Sequence, residues 1–153
     1  MKKISLIILM IFYFGGENIF AQNMSISENT QVTPYDNFTN GELICAENLQ
    51  LAGGSLRKSN VPYDALIIGV FIKFEGLNPN YKKIPVRKEG IFQVKYNSEN
   101  GAIKKGDLVT SSSEAGTAMK ATKSGMIVGI ALEDATSSSG LLKIRVLIQY
   151  VKQ

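Results

Sequence analysis

The stretch from Gly101 to Glu133 reads GAIKKGDLVTSSSEAGTAMKATKSGMIVGIALE, and its pattern decides the fold. A looser echo runs from Gly41 to Ile72, GELICAENLQLAGGSLRKSNVPYDALIIGVFI. In both, a Gly-acid-Leu triplet opens a short apolar run: Gly41-Glu42-Leu43 and Gly106-Asp107-Leu108. A polar loop with glycine follows, then an apolar-basic step, Leu56-Arg57 and Met119-Lys120. Each stretch closes on an apolar strand broken by glycine, Ile67-Ile68-Gly69-Val70 and Ile127-Val128-Gly129-Ile130. The two read as one supersecondary unit used twice.

The Gly-acid pair has a mechanical meaning. Glycine takes backbone shapes that other residues avoid. The carboxylate after it can accept hydrogen bonds from N–H groups that a tight bend leaves open. Two such units, related by a rough two-fold, could interleave into one closed barrel with few exposed edges.

Working outward, Leu43–Ala46 and Leu56–Ser59 read as short strands, with a turn at Ala52–Ser55 and a bend at Val61–Asp64 ahead of Leu66–Phe74. That last segment is apolar at nearly every position, which suits burial on both faces. Gly69 inside it marks a bulge, a bend or a close backbone approach. Val86–Asn97 alternates after a turn at Glu89-Gly90, with Phe92, Val94 and Tyr96 on one face. Thr117–Ala121 and Met126–Leu132 are the strands of the second unit, and Asp134–Gly140 is a serine-rich turn. Leu141–Val151 is the last strand, with Leu142, Ile144, Val146, Ile148 and Tyr150 on one face, so the C-terminus belongs to the sheet. Nothing after the leader shows a helical period. Short strands separated by glycine turns argue for an all-β fold, a small barrel or sandwich built from the two Gly-acid-Leu units.

Residues 1–21 read as a secretory signal peptide: Lys2 and Lys3 precede the apolar run Ile4–Phe14, and Ala21 is a small residue at the cut. The run is short for a bilayer span. The Ala21-Gln22 junction resembles Gram-negative, Bacteroidota-like leaders, which places the mature chain in the periplasm or on the cell surface. Residues 22–40 are polar, carry Pro34 and lack a sustained period, as befits a linker or extended arm. Residues 41–153 then form a single β domain.

The 153 residues are 44% apolar and 20% charged, enough for one core. The formal charge is +4, and losing Lys2, Lys3 and Glu17 leaves about +3, ordinary for a soluble domain. The pairs Lys82-Lys83 and Lys104-Lys105 are solvated loop edges rather than phosphate sites, and no basic-aromatic platform for nucleic acid appears. There is no histidine, which removes the commonest general base and metal ligand. The single cysteine, Cys45, lies inside a strand and reads as a small buried hydrophobe. It leaves no intrachain disulfide and no Cys-rich zinc site. Glu42 and Asp107 are read as turn carboxylates ahead of a catalytic or metal-binding pair. Ser111–Ser113 is read as a loop ahead of a nucleophile with Lys120 or Lys123 as base. Tyr35, Phe38, Tyr63 and Tyr81 could stack on sugars, but at loop-strand borders they read as lids on the core. The sequence thus names no catalytic, cofactor-binding or metal-ligating residue and calls for no cofactor.

The Gly-acid pair at equivalent strand starts resembles the pseudo-symmetric cradle-loop barrels. The wider run Gly106-Asp107-Leu108-Val109-Thr110, Gly116-Thr117-Ala118-Met119-Lys120-Ala121, Val128-Gly129-Ile130-Ala131 and Ile144-Arg145-Val146-Leu147 resembles a β domain found at the C-termini of phage tail appendages and bacterial surface proteins. That resemblance covers about Asn40 to Gln149. In phage appendages such a domain acts as an intramolecular chaperone that cuts itself off. Here only a leader and a short arm precede it, and none of the cleavage residues is carried over.

The expectation is an exported, non-enzymatic interaction module, an accessory subunit of a cell-envelope or surface assembly. Its partners are then envelope proteins or further copies of itself, with no nucleic acid. The arm could add a strand to a partner's sheet edge. The alternatives are a self-cleaving chaperone-type protease domain and a carbohydrate-binding surface domain.

Overall fold

The computed structural model describes residues 37–48, 55–73 and 85–152, all within the compact unit Tyr35–Gln153. The leader, most of the arm, the turn at Ala52–Gly54 and the loop before Pro85 lie outside the described residues. No helix occurs among the described residues, and the fold is all-β.

The strands are β1 (Leu43–Asn48), β2 (Ser55–Lys58), β3 (Ile67–Phe71), β4 (Val86–Arg87), β5 (Glu89–Asn97), β6 (Leu108–Ser111), β7 (Ala118–Lys120), β8 (Gly125–Ala131) and β9 (Ser139–Val151). They make two sheets. The first is open, in the order β2-β1-β3-β4; the second closes into a barrel, β5-β7-β6-β8-β9. The all-β reading, a small barrel or sandwich, holds, but the two Gly-acid units do not interleave into one barrel: they lie in different sheets. The reason is strand length. β4 gives the first sheet two residues, whereas β5 pairs with β9 along its whole length, from Glu89↔Leu147 to Asn97↔Ser139, and closes the second sheet.

The core is shared. Leu43, Cys45, Ile67 and Val70 of the open sheet pack with Val94, Tyr96, Val109, Ala118, Val128, Leu142, Ile144 and Val146 of the barrel. The alternation read in β5 and β9 produces this. Val94 and Tyr96 are buried and Phe92 half-buried, and Leu142, Ile144 and Val146 are buried. Tyr150 departs from its expected face partners and is 69% exposed, because the end of β9 runs past the core. The turn expected at Glu89-Gly90 is also displaced: both residues already belong to β5, and the break falls at Lys88.

The glycines inside β3 and β8 have one physical cause. A side-chain carbon on Gly69 would collide with the carbonyl oxygen of Arg87, and one on Gly129 with that of Arg145. Each lets a neighbouring backbone come closer than any other residue allows.

The two Gly-acid turns make matching bonds. Gly41 (φ +86°) donates to Phe71 O at 2.9 Å, and Gly106 (φ +91°) to Ala131 O at 2.8 Å. Phe71 and Ala131 donate back to the carbonyls of Glu42 and Asp107. Ile44 pairs with Gly69 and Lys58, and Val109 with Gly129 and Lys120. Register thus sets Lys58, not Arg57, against Lys120.

Candidate interaction surface

Glu42 sits just before β1, and its side chain is 5% exposed. A carboxylate buried to that degree needs partners. Its Oε2 accepts the Thr39 N–H at 2.8 Å, while Oε1 receives Lys58 at 3.1 Å and Lys95 at 2.8 Å. Lys58 comes from the open sheet and Lys95 from the barrel, so one carboxylate ties both to the entry turn. Lys95 also donates to Thr39 Oγ1 at 2.6 Å. Burial pushes the Glu42 pKa up, but the bonds from Lys95, Thr39 and Lys58 outweigh it and hold it below the ordinary carboxylate value.

Asp107 repeats the arrangement at a more open position. It accepts the Lys104 N–H at 2.8 Å and pairs with Lys120 at 2.8 Å. Partial burial raises its pKa; the Lys120 and Lys104 contacts lower it more. Each of the two carboxylates is held by its own lysines and caps its own turn. Among the described residues, no group of three or more Cys, Asp or Glu side chains could hold a metal ion.

A third acid was not singled out by its sequence context. Asp64 ends the bend before β3, is buried, and pairs with Arg57 at 2.7 Å. Its Oδ1 accepts the Leu66 N–H at 3.0 Å. Cys45 lies beside this pair. Burial, and then the neighbouring Asp64, push its thiol up to about 12, so it stays protonated. A signal existed in the sequence, since an Asp in a bend commonly accepts the backbone N–H two residues on.

The serine run is committed to structure. Ser111 Oγ accepts the Asp64 N–H at 2.8 Å and donates to Val61 O at 2.8 Å. Ser112 Oγ bonds Thr117 O at 3.0 Å, and Ser113 Oγ donates to Glu99 at 2.8 Å. Lys120, the paper candidate for a base, is turned to Asp107, and Lys123 lies 5.1 Å over the Tyr63 ring. Tyr63 OH accepts the Thr122 and Lys123 N–H groups at 2.7 and 3.1 Å. Phe38 tilts against buried Phe71, centroids 5.6 Å apart. Both aromatics act as lids; Tyr35 and Tyr81 lie outside the described residues.

What remains open is the outer face of the β5–β9 ribbon. Successive cross-strand pairs there are Glu89↔Leu147, Ile91↔Arg145, Gln93↔Lys143 and Lys95↔Leu141. Ile91 is 56% exposed, Leu141 56% and Leu147 48%; Leu141 borders the Gly41 turn, and Leu147 lines a shallow recess with Ile67 and Ile68 of β3. Ile91 and Leu147 stand on adjacent rows of this face, with Leu141 two rows beyond Ile91, and such exposed apolar surface favours a partner. Arg145 and Lys143 stand among them, with no carboxylate within ion-pair reach among the described residues.

Comparison with known proteins supplies a family. Residues 29–148 match the family model described as phage cement protein. The match agrees with the resemblance read from the sequence in pointing to a phage structural protein, and differs in naming a cement protein instead of a tail-appendage domain. No curated protein and no solved structure matches the chain.

Proposed function

The chain belongs to the phage cement protein family, and from that premise we propose that it is a non-enzymatic structural subunit that binds onto a larger protein assembly and braces it. The observation that carries this reading is the outer face of β5 and β9, where Ile91, Leu141 and Leu147 are exposed and where Lys143 and Arg145 make no ion pair among the described residues. A lone domain gains nothing by exposing them; a docked one buries them at roughly 25 cal/mol per Å².

The leader read in residues 1–21 sends this subunit out of the cytoplasm, so its assembly is in the envelope or at the surface. Residues 22–40 serve as an arm that adds a strand to a partner's sheet edge. Thr39 and Asn40 belong to the domain, however. Thr39 bonds Glu42 and Lys95, and Asn40 accepts the Lys73 N–H at 2.6 Å. A clean arm deletion therefore stops at residue 34, since the compact unit begins at Tyr35.

The test is the native mass of the endogenous chain, extracted gently and tagged at its C-terminus, with co-purifying proteins identified. Many copies in a constant set of partners support the reading; a chain that runs alone overturns it. Removal of residues 23–34 is expected to lower retention in the assembly while urea unfolding stays cooperative. Unchanged retention removes the arm from the interface.

A further inference from the structure

The β5–β9 face also carries information about what it meets. Three of its rows combine an apolar or neutral residue with a cation: Ile91 beside Arg145, Gln93 beside Lys143, and Leu141 beside Lys95. Directly opposed residues on one sheet face lie about 5 Å apart, so the Arg145 stem is within reach of Ile91. Lys95 is already spent on Glu42. Lys143 and Arg145 alternate on β9 and share the face; Glu133 accepts the Lys143 backbone N–H at 2.9 Å, but neither cationic side chain forms an ion pair among the described residues. The one acid of the face, Glu89, lies at its far end opposite Leu147.

We propose that this face docks on a protein surface that carries carboxylates around an apolar centre, with Arg145 as the anchor. This rests on the reading of the chain as a subunit of an assembly. Arginine suits the role. Its planar fork takes a carboxylate through two parallel bonds, it sheds water more readily than an ammonium, and it is enriched at the centre of interfaces. Ile91 and Leu147 flank it and exclude solvent, which strengthens that pair. Leu141 and Lys143 extend the same surface along β9. The apolar side chains argue for a protein; a polyanion would need only the charges.

The experiment uses the full-length chain in its own cells. Four variants are compared with the wild type by sedimentation of gently solubilised envelopes: Lys143→Glu with Arg145→Glu, Arg145→Lys, Ile91→Glu, and Lys104→Glu with Lys105→Glu as the off-face control. The double reversal on the face is expected to cut the assembled fraction at least about tenfold, the equivalent of 1.4 kcal/mol. Ile91→Glu should do the same, Arg145→Lys should weaken it less, and the control should leave it unchanged. Thermal unfolding of each purified variant separates lost docking from lost fold. A photo-crosslinker at Gln93 should recover partner peptides rich in Asp and Glu. The proposal is overturned if both face reversals leave the assembled fraction intact, if the crosslinked peptides are basic, or if heparin or anionic phospholipid vesicles bind the wild type and Ile91→Glu alike. A wild-type chain that sediments alone overturns the assembly reading and this one together, whereas an assembly indifferent to the face overturns this one only.

Discussion

Lys95 donates to Glu42 Oε1 over 2.8 Å across 53 positions of sequence, and that bond joins the turn that opens the first sheet to the first strand of the barrel. Lys58 reaches the same oxygen from the open sheet. The carboxylate is buried while both ammonium groups keep some contact with water. Removing the acid leaves two cations facing each other.

Glu42→Gln is therefore expected to cost about 2 kcal/mol at pH 7, less than for a fully buried pair because the lysines are partly solvated. The pH dependence follows from the depressed pKa. A carboxylate that titrates lower in the folded chain adds stability above its ordinary value of 4.5, and that stability is lost as pH falls through the folded value. Urea unfolding at pH 7 and pH 3 should show the wild type weakening in acid and Glu42→Gln changing less. A variant as acid-sensitive as the wild type would assign the acid response elsewhere.

Gly129 and Gly106 predict opposite outcomes for the same substitution. Gly129→Ala drives a methyl into the Arg145 carbonyl, which strands β8 and β9 cannot both accommodate, and should cost at least about 3 kcal/mol or prevent folding. Gly106→Ala meets open space and only strains φ +91°, at about 1 kcal/mol. Soluble yield and unfolding midpoint check the pair. Equal effects would mean that the close approach of β9 is not what fixes Gly129.

Ser111→Ala removes a hydroxyl that satisfies a donor and an acceptor of the bend at Val61–Asp64. The expected loss is about 2 kcal/mol, the range for leaving buried polar groups unpaired. The same variant tests self-cleavage. Intact mass after long incubation should be unchanged in wild type and variant; a cut present only in the wild type would restore the protease reading.

Cys45 should resist thiol reagents in the folded chain at pH 8 and react at once in urea, since only the thiolate attacks and burial keeps it protonated. The linkage runs toward alkali. The unfolded thiol ionises above its ordinary 9.0 and the folded one only near 12, so stability declines as pH rises between them. Rapid native labelling would place the thiol at the surface.

The strands were legible where one face meets the core. Alternation in Phe92-Gln93-Val94-Lys95-Tyr96 and in Leu142 to Val146 is imposed by burial on one side, and the sequence carries it openly. The mid-strand glycines and the Gly-acid turns were legible because few residues meet their backbone demands. What the sequence hid depends on distant partners. The Lys95–Glu42 pair joins residues 53 positions apart, and nothing local marks which lysine meets which acid. The exposure of Tyr150 was hidden for a related reason: alternation shows parity along a strand but not where the core beneath it ends. The open face was overlooked because Ile91, Leu141 and Leu147 look like ordinary strand apolars until their parity is set against Val94 and Ile144.

The barrel is closed unevenly. β5 holds β9 along its full length, but meets β7 at a single parallel position, Tyr96↔Ala118. The cylinder therefore has a seam. Local opening is expected at the β5–β7 junction before the β5–β9 ribbon parts. Amide exchange should be fastest along β7 and slowest where β5 faces β9. A subunit gripped by that ribbon would carry load along its best-bonded pair of strands, with the compliant edge turned away from the grip.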